Sequence, residues 1–211
     1  MAIVEAAERL FAERGLHAVS LREISSAAGQ RNNVAAQYHF GDREGLVAAV
    51  YAARMGQVNA HRSQQLDQLE ARSAPPSPAD LVATLVEPLA EVVLHQPTWY
   101  ARFLARALWD PLADAVLADH PAASSLRRLG RHWREALPGL PAELRRNRLD
   151  QLGALVIGTL AGWEWARHRD APRLSPTVLV ADLVATGTAL VTAAPPEGLA
   201  RPPDPAEEAH P

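Results

Sequence analysis

The chain of 211 residues has no cysteine and no lysine. Without cysteine there are no disulfides, no thiol nucleophile and no thiolate metal site. Without lysine, arginine carries every formal positive charge. That choice suits bidentate contacts to phosphate and guanine, but GC-rich codon bias is the commoner reason for it. The formal net charge of -3 gives no bulk pointer to nucleic acid. A long apolar run is also missing. Val178 to Ala194 is interrupted by Asp182, is rich in small residues and threonine, and falls short of the roughly 20 apolar residues of a membrane span. The N-terminus, MAIVEAAERLFAERG, has acids within its apolar pattern and neither a basic start nor a cleavage motif. It reads as a helix of the mature fold, and the chain as a cytoplasmic protein without a membrane partner.

Enzyme signatures are absent too. There is no GxxxxGK[ST], no GxGxxG after a strand and no GxSxG. No two of the eight histidines are close enough in sequence to share a helical face, so no zinc-protease-type pair exists. The acid pair Glu207-Glu208 looks like solvated charge. No enzymatic activity, metal or cofactor is expected.

What remains is helical periodicity almost throughout, without strand alternation or internal repeat. Val4, Ala7, Leu10 and Phe11 share a face of a first helix that stops at Gly15. Ser20-Leu21-Arg22-Glu23 is a capping box opening a second helix, which Gly29 breaks. Asn32 can cap a third helix. Asp42 caps a fourth, which reaches about Glu70. ARSAPPSPAD then marks a joint. Ser77-Pro78 restarts a helix, and Pro88 should kink or interrupt it. Further helical segments are Thr98 to Trp109, Pro121 to Leu137, Pro141 to about Arg169, and Pro176 to Ala193, with joints at Asp110-Pro111 and Pro138-Gly139. The proline-rich, acidic end, residues 195–211, should be a disordered tail.

One stretch concentrates groups able to hydrogen-bond: AGQRNNVAAQYHFGDREGL, Ala28 to Leu46. Two short helices around a glycine turn form a helix-turn-helix outline. In such a unit the second helix enters the major groove. Asparagine and glutamine can pair with adenine, and arginine with guanine. That is a physical use for Arg31, Asn32, Asn33 and Gln37 together. Asn32 can equally be only a cap, and Asn33 only a turn residue.

These residues carry a resemblance. AAERLFAERGLHAVSLREISSAAG followed by YHFGDREGL resembles the DNA-binding domain of the tetracycline-repressor (TetR) family of bacterial regulators, over about the first 50 residues. The resemblance implies that His39 and Arg43 touch backbone phosphate. Ser20 and Arg22 would approach phosphates at the start of the second helix, and Asn33 and Gln37 would lie where recognition-helix contacts occur. The segment from Gly29 to Phe40 is one residue longer than the common family pattern. Gln37 replaces the usual tyrosine, which leaves the phosphate contact open between Gln37 and Tyr38. Up to Val50 there are six acids and five arginines, so affinity must come from local placement of arginines and helix N-termini.

The resulting expectation is an all-α protein: residues 1–50 a helix-turn-helix domain, residues 51–194 a helical effector-binding and dimerisation bundle. Paired half-sites on DNA call for a homodimer. Leu152, Val156 and Leu160 form one stripe with Leu149 and Trp163; Leu179, Leu183 and Leu190 form another with Thr186. Small residues Gly153, Gly158, Gly162, Ala181, Ala185 and Gly187 permit close approach, so the last two helices of each subunit would make a four-helix interface. The same stripes could instead close the monomer core. His95, Trp99, Arg102, Phe103, Arg106, Trp109 and Trp133 suggest walls of a small-molecule pocket, against the alternative of core packing. The function expected is a ligand-responsive DNA-binding regulator, a repressor on an inverted-repeat operator. The alternative is a helical small-molecule carrier or protein-interaction module that has lost operator binding.

Overall fold

The computed structural model describes residues 2–30, 32, 34–117, 120–171 and 174–196. Regular structure among these residues is helical: α1 (Ala2–Arg14), α2 (Leu21–Ala27), α3 (Ala35–Phe40), α4 (Arg43–Glu70), α5 (Pro78–His95), α6 (Tyr100–Ala107), α7 (Pro111–Leu117), α8 (Ser124–Ala136), α9 (Ala142–Arg167) and α10 (Pro176–Thr192). Local chemistry explains most boundaries. Gly15 and Gly29 end α1 and α2 with φ of 91° and 67°, a region costly for residues with a Cβ. Ser20 and Glu23 form the reciprocal capping box of α2, Asp42 caps α4 through the Gly45 amide at 2.8 Å, and Ser77 with Asp80 forms a second box at α5.

Three sequence expectations need correction. Asn32 does not cap α3. The helix begins later, with Val34 at the cap position and no side-chain cap bond, and Asn32 Oδ1 instead accepts from the Val34 amide at 3.1 Å within the turn. Asp110-Pro111 is more than a joint: it starts α7, with Pro111 in the first turn and Asp110 Oδ1 accepting from the Leu112 amide. Finally, Pro88 does not interrupt α5, which continues through it. The Thr84 carbonyl, which Pro88 has no N–H to meet, accepts instead from Arg62 Nε at 3.1 Å.

Helices α1 and α3 pack on α4, and α2 packs on α1 and α3, while α5, α7 and α8 also pack on α4 and α6, α9 and α10 complete the larger body. Because α4 runs unbroken through position 50, the two regions share a helix and one continuous apolar core. Residues 197–211 of the expected tail lie outside the described residues. No helix among the described residues is long and apolar enough to cross a membrane.

The last two long helices face differently from expectation. Leu152, Val156, Leu160, Leu179 and Leu183 are buried within the protomer, and Leu190 is half-buried. Gly187 serves the same internal packing, since a Cβ there would meet Leu152 Cδ1 at 2.8 Å and Val82 Cγ1 at 3.0 Å. Apolar residues occur all around α9 and α10, so periodicity did not decide which face turned inward. The opposite faces expose Gly158, Gly162 and Trp165 on α9, and Val178, Ala181 and Ala185 on α10.

Candidate nucleic-acid interface and internal cavity

Helix α3 turns Ala35 and Ala36 inward and exposes Gln37, Tyr38 and His39. Tyr38 is 84% exposed. Its ring meets His39 edge-on, with centroids 5.3 Å apart. The angle between α2 and α3 is held by Ser25, which the sequence reading missed. Fully buried, its hydroxyl donates to Leu21 O and accepts from the Ala36 amide, both at 3.0 Å. A serine one position after the buried Ile24 was the only signal, and a serine in a helix is ordinarily solvent-facing. Ser25→Ala would leave the Ala36 N–H buried without a partner, so a loss of about 1–3 kcal/mol in urea unfolding is expected.

The arginines of this region divide by partner. Arg14 pairs with Glu23 at 3.2 Å and Arg9 approaches Glu13 at 3.9 Å. Arg43, expected on phosphate, donates from Nη1 to Leu16 O and Val19 O, bracing the start of α4 against the α1–α2 loop. Arg22 is exposed and makes no ion pair among the described residues. Ser20 is exposed, with its hydroxyl in the capping box. Hydrogen bonds from Ser20, then Arg14, lower the Glu23 carboxyl below its usual value. Asn32 is exposed in the turn; Arg31 and Asn33 lie outside the described residues.

Residues 3–50 match the family model described as bacterial regulatory proteins, tetR family. This unit is a tetR-family domain. The likeness in fold extends over about nine-tenths of the chain. A protein from Shewanella sp. PV-4 assigned to tetR-family transcription regulators superposes with TM-score 0.59 at 17% identity, covering 90% of this chain and 94% of that one. AmtR of Mycobacterium smegmatis gives 0.53 at 20% identity, covering 92% and 94%. A TetR transcriptional regulator of Rhodococcus sp. RHA1 gives 0.50 at 18%, covering 92% and 96%. Among curated proteins, none matches the chain. The tetR family is one of DNA-binding transcription regulators.

The second site is a cavity of about 500 Å³ in the larger body, open to solvent on one side and lined by residues of α4 to α9. Its wall is mainly apolar, including Met55, Leu89, Leu104, Trp133, Leu152 and Val156, while Asp114, Leu126, Arg127 and Gly130 form an exposed rim. The buried charged residue of the wall is Arg62, only 2% exposed, beside the half-polar Tyr51. Its guanidinium donates to Thr84 O, Leu85 O and Ser125 Oγ at 3.1, 3.3 and 3.4 Å. No carboxylate pairs with it among the described residues. Burial brings its pKa down to about 10, so it stays charged at neutral pH.

Of the residues expected on a ligand, Trp133 alone lines this cavity. Phe103 is core, packed on Phe11 and Tyr100 with centroids 6.3 and 5.9 Å apart. Trp109 is 72% exposed. His95 is exposed at the end of α5, and Arg106 reaches Ala12 O at 3.5 Å. The Trp99 ring lies 4.0 Å from that of His168, with the Arg102 guanidinium 4.8 Å from its centroid, at the joint between α6 and α9. These side chains were grouped by sequence proximity, but α6 distributes them around its circumference.

Helix α6 is thereby placed between the two sites. Leu104, Ala107 and Leu108 border the cavity, while Phe103 and Arg106 meet α1. Its start is held by two buried acids. Glu8 of α1 accepts from the Trp99 amide at 2.8 Å and from Arg54 at 3.3 Å. Glu164 of α9 accepts from the Thr98 hydroxyl at 2.6 Å and the Arg102 amide at 3.0 Å. Burial pushes the Glu164 carboxyl from 4.5 up to about 7, against the pull of those hydrogen bonds. Between these values the native state keeps a proton that the unfolded chain has lost. Stability therefore falls as pH rises through this window, by up to about 3 kcal/mol. Glu164→Gln should flatten that dependence, measured by urea unfolding at about pH 5 and about pH 8.

Proposed function

We propose that the protein is a homodimeric, effector-responsive transcriptional repressor that binds an inverted-repeat operator through α3 of each subunit. The observation that carries this reading is the position of α6, with one side on the DNA-binding region and the other on the cavity. A molecule entering the cavity would press on Leu104 and Ala107. The displacement would pass through Phe103 and Phe11 to α1, and along α4, changing the separation of the two recognition helices. It can do so only by as much as its affinity differs between the two arrangements. Two α3 helices must sit one helical turn apart on DNA, roughly 34–36 Å, which requires a second copy. The exposed face of Gly158, Gly162, Val178, Ala181 and Ala185 is the surface proposed to meet it.

In this reading residues 1–50 serve as the DNA-binding region and 51–194 as the effector and dimerisation region. Gln37 and Asn33 are the proposed base readers, with Asn32 or Arg31 as a substitute, while Arg22, Ser20, Tyr38 and His39 position the domain on phosphate. Arg43 acts through its brace on the α1–α2 loop. Site selection on random duplex DNA with the purified protein should return an inverted repeat. Gln37→Ala should relax preference at one position per half-site at a cost of about 1–3 kcal/mol. Arg22→Ala should weaken all sequences alike and lower the salt slope by about one per subunit. Failure to recover any repeat would favour a carrier or interaction module of the same fold.

A further inference from the structure

We infer that the internal cavity accepts an amphipathic monoanion whose carboxylate pairs with Arg62 while its apolar body lies against the leucines and Trp133. This rests on the reading of the cavity as the effector site and names the chemical class it takes. A buried charge normally has a counter-charge nearby, because neutral groups compensate lost hydration incompletely. Arg62 is buried at an apolar cavity wall, and each of its described partners is neutral.

Part of this arrangement is structural. Nε closes the Thr84 carbonyl that Pro88 leaves without a donor. That role needs one N–H. The Nη1 and Nη2 contacts, at 3.4 and 3.3 Å, are long for a charged donor, and the guanidinium has further N–H groups to offer. A planar carboxylate matches this fork, and Arg62 is the buried cation of the wall, the rim charges of Asp114 and Arg127 being opposite in sign. The volume of about 500 Å³ suits a small organic molecule, and the exposed rim of Asp114, Leu126, Arg127 and Gly130 offers entry between α7 and α8.

The test is calorimetric titration of the purified protein, without DNA, with decanoate, decan-1-ol and decylammonium. Decanoate should bind roughly 10- to 100-fold more tightly than the alcohol, as a charge-assisted pair gives, with decylammonium weakest. The site is checked with Gly153→Leu. Leu149, Leu152, Gly153, Val156 and Ile157 form the cavity face of α9, and a Cβ at Gly153 meets no atom within 4 Å. The new side chain should narrow the cavity at the α9 wall, keep the fold and weaken decanoate binding. Arg62→Gln should erase the preference for decanoate over decan-1-ol, but the wild-type comparison stands without that variant. Equal affinity for decanoate and decan-1-ol would overturn the anion assignment and leave the effector reading intact. No binding by decanoate, or binding untouched by Gly153→Leu, would overturn the assignment of this ligand class to the cavity. Operator release is scored separately, so loss of DNA recognition does not bear on either result.

Discussion

Leu183→Arg is expected to unfold the protomer, whereas Ala185→Arg should leave it folded and monomeric. The two residues are two positions apart on α10, but Leu183 is 2% exposed and Ala185 is exposed. Leu183 sits in the same packed layer as Leu152 and Gly187, where α10 closes on α9 and α5. An arginine there would have no counter-charge and no room to reach water. The cost, about 3–5 kcal/mol or more, is a large share of the stability of a domain this size, about 5–15 kcal/mol. At Ala185 the same side chain enters solvent in the isolated protomer, but would place like charges face to face across a two-fold axis. Circular dichroism melting and sedimentation equilibrium separate the outcomes. A folded monomer from Leu183→Arg would show that α10 is loosely attached. A dimer from Ala185→Arg would place the subunit contact elsewhere.

Gly45→Ala should disable the DNA-binding region without touching its exposed surface. A Cβ at Gly45 would lie 2.1 Å from the Phe40 carbonyl oxygen and 3.2 Å from its carbon. Both are backbone atoms, so no side-chain rotation relieves the clash; the end of α3 must move away from the first turn of α4. That movement would disturb the Asp42 cap on the Gly45 amide and tilt the helix bearing Gln37, Tyr38 and His39. A loss of about 3 kcal/mol or more is expected, with operator affinity falling further than stability alone explains. Gly56→Ala is the control. It lies in mid-α4, exposed, and a methyl group added there would have no atom within 4 Å. This variant should be more stable by up to about 1 kcal/mol. Equal behaviour of the two variants in gel-shift and melting would remove the steric argument.

Much of the fold was legible because helix ends are local events. Ser20 with Glu23, Asp42, Ser77-Pro78, Gly15 and Gly29 each act on amides within a few residues, so short sequence windows contain the whole interaction. The tetR-family motif was legible for the same reason, as a fixed order of residues within the first 50. Asn32 misled because a cap and a turn bond use the same side-chain oxygen, and α3 starts beyond it.

The sequence by itself determined the helical class, most of the helix boundaries and the DNA-binding region, all of which follow from hydrogen bonds and periodicities within one turn or one motif. Only the tertiary structure decided which faces of α9 and α10 close the core and which aromatic side chains border the cavity. It also decided what the arginines do. Arg43, Arg62, Arg148 and Arg167 donate to backbone carbonyls from 22 to 73 residues away in sequence. The Thr84 carbonyl was open to Arg62 because Pro88 lacks an N–H, and Arg148 meets the carbonyls of Val191 and Ala194 at the end of α10. Such a carbonyl can be inferred from its own segment, but the donor that reaches it depends on where another helix crosses, and that is set by packing of the entire core.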